Sequence, residues 1–321
     1  MDNALYFPFI SVPESPWFTR ILLYWDKVGS IIPFEFVKAP DLLSRYTTDL
    51  LTDELLVQVH PGQYLHEVPR FRESFVCFIE SLPTHNIMQR RASLSAHNTF
   101  RVHAEKMQDI ADYLVEVKLA KKVDCSWCDV EKKTAGEFMG YLAALLGKIE
   151  GVDSTPVTDT SANLDPFLLA SQSAERVEIR LAPLRKIVLE QLLPVPARQV
   201  AIATLRSFKQ KHGRLLRQFR YSIEQEITDI ADMVDPDLQK HRLEAFVAEK
   251  KAEVEEIAAR LSEGGIGDIV FSKICAVVAS IPGVNALFGL ASAVYSALSA
   301  KRQHPGSSAL LYAAYVQKEI R

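Results

Sequence analysis

Two long helical rhythms joined at a proline constrain this chain more than any other feature. From Ala197 to Val234, the apolar residues Leu205, Phe208, Leu215, Phe219, Ile223, Ile227, Ile230 and Val234 recur at spacings of three, four and seven. That spacing keeps them on one face of a helix. Pro236 marks a turn, and Leu243, Val247, Val254, Ile257 and Leu261 continue the rhythm from Asp237 to Glu263. At ~1.5 Å per residue each arm would be roughly 40–55 Å long. Two such helices with a tight turn fold back as an antiparallel hairpin, expected over residues 197–263.

The two arms differ in charge. Between Gln191 and Ile223 stand seven basic residues (Arg198, Arg206, Lys209, Lys211, Arg214, Arg217 and Arg220) and no acid, whereas Glu224–Glu263 holds twelve acids and five bases. One reading is a stripe of Arg206, Lys209, Arg214, Arg217 and Arg220 that meets phosphate on a lipid headgroup or a nucleic acid. The favoured reading is internal pairing. Antiparallel register about residue 235 brings Arg220 near Lys250, Arg217 near Glu253, Arg214 near Glu256 and Arg206 near Glu263, so that three of four crossings are favourable.

The hairpin belongs to a helical region expected over 174–321. Ala174–Leu193 reads as one helix containing Pro183 and ended by Pro194 and Pro196. The stretch 266–300 is expected to form an apolar helical pair, because Lys273 is its only charge between Ile269 and Ala300 and Pro282-Gly283 splits it. Each half is shorter than the roughly 20 residues of a spanning helix. Burial against the hairpin base is the favoured reading. Docking on a membrane or a partner through Val270, Phe271, Leu287, Phe288 and Leu290 is the alternative.

Residues 1–150 read as a small α/β region. Strands are expected at 4–10, 31–37, 99–103 and 125–130. A helix should start at Ser15-Pro16, a hydroxyl cap before a first-turn proline, and stop at Gly29. Further helices are expected over 70–82, 104–117 and 134–149, the last opened by a capping box from Thr134 to Glu137. Residues 151–173, rich in Ser, Thr, Asp, Gly and Pro, read as a linker. The fold class is therefore α+β and mostly helical.

Four cysteines in 321 residues make no disulfide framework. Asp2 stands where a secretory leader needs positive charge, and Pro8 and Pro13 break the apolar run. The expected location is cytoplasmic, with a peripheral membrane association left open. A net charge of −3 gives no global case for nucleic acid.

The segments LYFPFI, WFTRILLYWDKVGSIIP, GEFMGYLAALLG, PVTDT, LLPVP and FKQKHGRLLRQFRYSIEQEI resemble an uncharacterised bacterial protein family over most of the chain. Some relatives of such families occur among antiviral defence genes, so the resemblance implies that setting. Its motifs are apolar, and it carries over no functional residues.

Motifs with chemistry are few. Cys125-Ser-Trp-Cys128 lacks the second ligand pair of a zinc site, and on a strand its thiols would point to opposite faces. Asp129, Glu131 and Lys133 resemble the acid-then-Glu-x-Lys pattern of metal-dependent nucleases, but a solvated helix terminus explains them better. His60, His66, His85, His97, His103 and His212 are scattered and read as surface or packing residues. No phosphate-binding loop, dinucleotide fingerprint or hydrolase elbow is present. The leading expectation is a non-enzymatic binding or sensor protein in antiviral defence, with a nuclease as the alternative. It would act through a protein partner, with membrane lipid and a homo-oligomer open, nucleic acid disfavoured, and no metal or cofactor.

Overall fold

The computed structural model describes residues 2–159, 173–263 and 309–320. The fold is α+β and mostly helical, as expected. The chain forms two compact units, Met1–Ile187 with Val195–Gly213, and Val188–Pro194 with Arg214–Arg321.

The first unit contains two sheets. Strands β1 (Asn3–Tyr6), β2 (Lys27–Ile31), β3 (Leu56–Val59) and β7 (Ser154–Val157) form a parallel sheet in the order β3-β2-β1-β7. Strands β4 (Thr99–His103), β5 (Ala120–Lys122) and β6 (Trp127–Glu131) form an antiparallel one in the order β4-β6-β5. The helices are α1 (Pro16–Tyr24), α2 (Glu35–Lys38), α3 (Arg45–Thr52), α4 (Pro61–Tyr64), α5 (Phe71–Ser81), α6 (Thr84–Ser95), α7 (Ala104–Met107), α8 (Ile110–Glu116) and α9 (Lys132–Lys148). Two longer helices follow, α10 (Ser173–Leu192) and α11 (Ile202–Ala231). The core gathers Leu5 and Ile31 of the parallel sheet and Phe7 just beyond β1 with Val102, Cys128 and Val130 of the other sheet and with Phe138 and Leu142 of α9.

Local chemistry explains several boundaries. Ser15 caps α1 by accepting from the Phe18 N–H at 3.2 Å, with Pro16 at the first turn. Gly29 does not stop that helix, which ends at Tyr24; it lies in the middle of β2. A Cβ there would come within 3.0 Å of Val59 Cγ2, so its small size lets neighbouring strands approach. The strand expected at 31–37 is shifted back to 27–31, and Glu35–Lys38 is a short helix. Val28–Ile31 is buried throughout, and a continuous buried run carries no period that separates strand from helix.

The helix expected over 104–117 is broken at Gln108, whose φ is +46°. The helix expected over 134–149 begins two residues earlier, at Lys132. Its cap is Glu131, which accepts from the Thr134 N–H at 2.8 Å, so the Thr134–Glu137 capping box is not formed. Gly147 lets α9 seat on β7, since a Cβ would stand 2.3 Å from the Ser154 carbonyl oxygen. That strand lies inside the stretch read as a linker.

In the second unit, the C-terminal half of α11 turns through Asp232–Asp235 into α12 (Pro236–Glu263). Gln239 Nε2 donates to the Ile230 carbonyl at 3.1 Å, and Arg242 pairs with Glu226 across the turn. The buried residues Phe219, Ile223, Ile227 and Ile230 follow the expected rhythm, whereas Leu216 takes the buried place expected of Leu215 and Val234 is 97% exposed. Helix α13 (Leu311–Glu319) packs on α12, and Tyr312 meets the Phe219 ring at 5.7 Å.

Candidate functional site

The parallel sheet has a topological switch. The chain moves outward from β1 to β2 to β3, and β7 then adds on the other side of β1. In open parallel sheets, ligands bind outside the carboxyl ends of strands at such a point. A cleft of about 270 Å³ lies there, lined by Pro8–Ser11 just beyond β1, Phe100–His103 of β4, Lys106 of α7, Trp127 of β6 and Met139 of α9. Ligand pockets run from roughly 300 to 1,000 Å³, so this one fits a single-ring compound. Pro8-Phe9-Ile10-Ser11 offers no glycine-rich loop for a diphosphate.

Aromatic rings form much of its wall. Phe9, 41% exposed, and Phe100 have centroids 5.2 Å apart. Trp127 stands edge-on to His103 at 5.0 Å and to Phe36 at 6.4 Å. Phe9 places an apolar ring at an accessible position beside the cleft.

Two polar groups there are incompletely satisfied. His103 Nδ1 accepts from the Glu105 N–H at 3.2 Å, which assigns the ring proton to Nε2. Nε2 lies 3.0 Å from Glu35 Oε1 but off the direction of a hydrogen bond, and it has no hydrogen-bond partner. Glu105 is held in turn by the Phe34 N–H, which donates to its Oε2 at 2.7 Å. Lys106 is 2% exposed. Burial lowers its pKa to about 7, against a smaller opposing effect of the Glu105 carboxylate. No hydrogen bond or ion pair to its amine occurs among the described residues. Tyr6, the last residue of β1, also has a buried hydroxyl without a partner, and burial raises its pKa.

The residues of the nuclease expectation do not assemble. Glu131 is buried, and its carboxylate accepts from the Lys133 and Thr134 N–H groups, from Thr134 Oγ1 at 2.8 Å and from Ser93 Oγ at 3.2 Å. It is a buried helix cap rather than a solvated terminus. Lys133 is exposed in the first turn of α9, and Asp129 accepts from Arg101 Nε at 3.0 Å. Thr134 also accepts from Arg90 Nη1 at 3.1 Å, and Arg90 holds Glu137 with both guanidinium arms. No group of three metal-ligating side chains occurs among the described residues.

Nor do the five cations of the expected stripe share one free surface. Lys209 donates to the carbonyls of Leu22 and Trp25 at 2.7 Å and of Asp26 at 3.0 Å, closing the end of α1. Arg206, expected opposite Glu263, pairs with Asp53 at 2.8 Å. Arg220 is 4% exposed, while Arg214 and Arg217 are exposed. Cys128 faces the core and burial raises its thiol pKa, whereas Cys125 is exposed in the turn before β6. Val270, Phe271, Leu287, Phe288 and Leu290 lie outside the described residues. Among the described residues no helix is long and apolar enough to cross a membrane.

In the sequence His103 reads as a surface or packing histidine, and Lys106 carries no motif. The available signal was a lysine directly beside the apolar face Met107, Ile110, Ala111 and Leu114. Protein-family models, curated proteins and solved structures were compared with the chain, and none matches.

Proposed function

We propose that this chain is a small-molecule sensor. The cleft beyond β1 takes a single-ring ligand with a polar substituent, and a protein partner reads the outcome. The observation that carries the proposal is Lys106 and His103, two buried polar side chains with unused bonding capacity, facing one aromatic cleft at a sheet switch point. A buried amine without an acceptor is costly in a scaffold and useful in a receptor. Bacterial antiviral defence is the proposed setting, and it rests on the resemblance of the apolar motifs alone.

Methyl-labelled methionine gives a direct test. Met139 lines the cleft, and Met88 is 62% exposed outside its lining. Titration with benzyl alcohol and related single-ring compounds is expected to shift the Met139 methyl signal saturably and leave Met88 unmoved. An unmoved Met139 signal across the panel would remove the cleft as a ligand site. For the setting, phage plating on hosts carrying the wild type or Lys106→Met is expected to differ, and equal plating would argue against it.

A further inference from the structure

We propose that Lys106 captures a small aromatic aldehyde in this cleft as a reversible imine. The inference rests on the sensor reading and adds a chemical class to it. Three structural facts carry it. Lys106 is 2% exposed and lines the cleft, so its side chain is withdrawn from bulk water beside the cavity. Phe9, Phe100 and Trp127 supply aromatic surface for a ring beside that amine. His103 shares the cleft, and its Nε2 makes no hydrogen bond although Glu35 Oε1 lies 3.0 Å away. The backbone adds a fourth: Gln108, two residues beyond Lys106, holds a φ of +46°, and this strained break ends α7 next to the lysine.

The chemistry uses the neutral amine. Desolvation, which lowers the Lys106 pKa to about 7, makes that form abundant at neutral pH. The nitrogen lone pair attacks the aldehyde carbon, and the carbonyl π electrons move to oxygen, which takes a proton. The nitrogen gives up a proton and the carbinolamine forms. Protonation of its hydroxyl releases water as the C=N bond forms, and the nitrogen loses its remaining proton. Amine and aldehyde thus give imine and water with no net oxidation. His103, whose ring shares the lining and whose Nε2 lies 3.0 Å from Glu35 Oε1, is the imidazole we assign to these proton exchanges. A ketone or acid lacks one feature of this fit: a ketone adds bulk at the reacting carbon, and an acid cannot form the imine.

The test uses the full-length protein with benzaldehyde and sodium cyanoborohydride, which reduces the imine to a stable benzyl-lysine. Peptide mapping should place one benzyl group at Lys106 well before exposed lysines such as Lys121. The labelling rate should rise up to about pH 7 and then level, because the amine is already neutral above that point. His103→Gln should slow labelling at least several-fold while benzyl alcohol still shifts Met139. Labelling spread evenly over surface lysines, or a Lys106 rate that keeps climbing to pH 10, would overturn the inference. Benzyl alcohol that shifts Met139 while benzaldehyde leaves Lys106 unlabelled would sink the imine and keep the sensor reading. Failure of both probes would remove both.

Discussion

Buried charge is handled in opposite ways at the two ends of β6. Around the start of α9, Arg90, Glu131, Thr134 and Glu137 are nearly fully buried, and their polar atoms engage one another. Around the cleft, Lys106 and His103 are as deeply buried, yet an amine and a ring nitrogen lack hydrogen-bond partners. Both regions draw on β6, through Glu131 at its end and Trp127 at its start. Burial alone therefore does not mark a scaffold: the satisfied groups hold α6, β6 and α9 together, whereas the unsatisfied ones are the basis of the proposed ligand site.

Substitutions separate the two kinds of region by the sign of their effect. Arg90→Met strands the Glu137 carboxylate in the interior and should cost about 3–5 kcal/mol, read by denaturant unfolding. Lys106→Met should act the other way at pH 7, stabilising the fold by up to about 4 kcal/mol, because a charge held below its ordinary pKa near 10.4 is removed. A second lysine sharpens the contrast. Lys209→Met removes donors from three carbonyls at the end of α1 and should destabilise by about 2 kcal/mol in the same assay. Glu131→Gln keeps the shape of the α9 cap and loses its charge, and should cost about 1 kcal/mol. Phe9→Ala, at a residue 41% exposed, should leave stability least changed and weaken benzyl alcohol binding by about 1 kcal/mol, measured on the Met139 methyl signal.

Much of the fold is legible in local sequence. Ser15-Pro16 announces α1, the alternation at 99–103 gives β4 its observed bounds, and the three-four spacing of Phe219, Ile223, Ile227 and Ile230 gives the buried face of α11. What misleads is also physical. Val28–Ile31 lies inside a parallel sheet, so its strand has no polar alternation to betray it. Thr134 and Glu137 satisfy the capping-box pattern, but Glu131 takes the cap and Arg90, from a different helix, takes Glu137. The cleft is least legible of all. Phe9, His103, Lys106, Trp127 and Met139 come from the loop after β1, from β4, α7, β6 and α9. No short motif can encode such a site, and the lysine looks ordinary until the fold buries it.

The most direct test of the contrast between satisfied and unsatisfied burial is the unfolding free energy of the wild type and Lys106→Met from pH 6 to pH 10. The folded pKa of Lys106 lies below its unfolded value, so between about pH 7 and pH 10 the unfolded chain binds the extra proton and wild-type stability rises with pH. Below pH 7 the cost of burying the ammonium is present in full. The variant should therefore lead by up to about 4 kcal/mol at pH 6–7, with the gap closing toward pH 10. A constant gap across this range, or a variant less stable than the wild type at pH 7, would contradict the assignment of Lys106 as an unpaired buried amine.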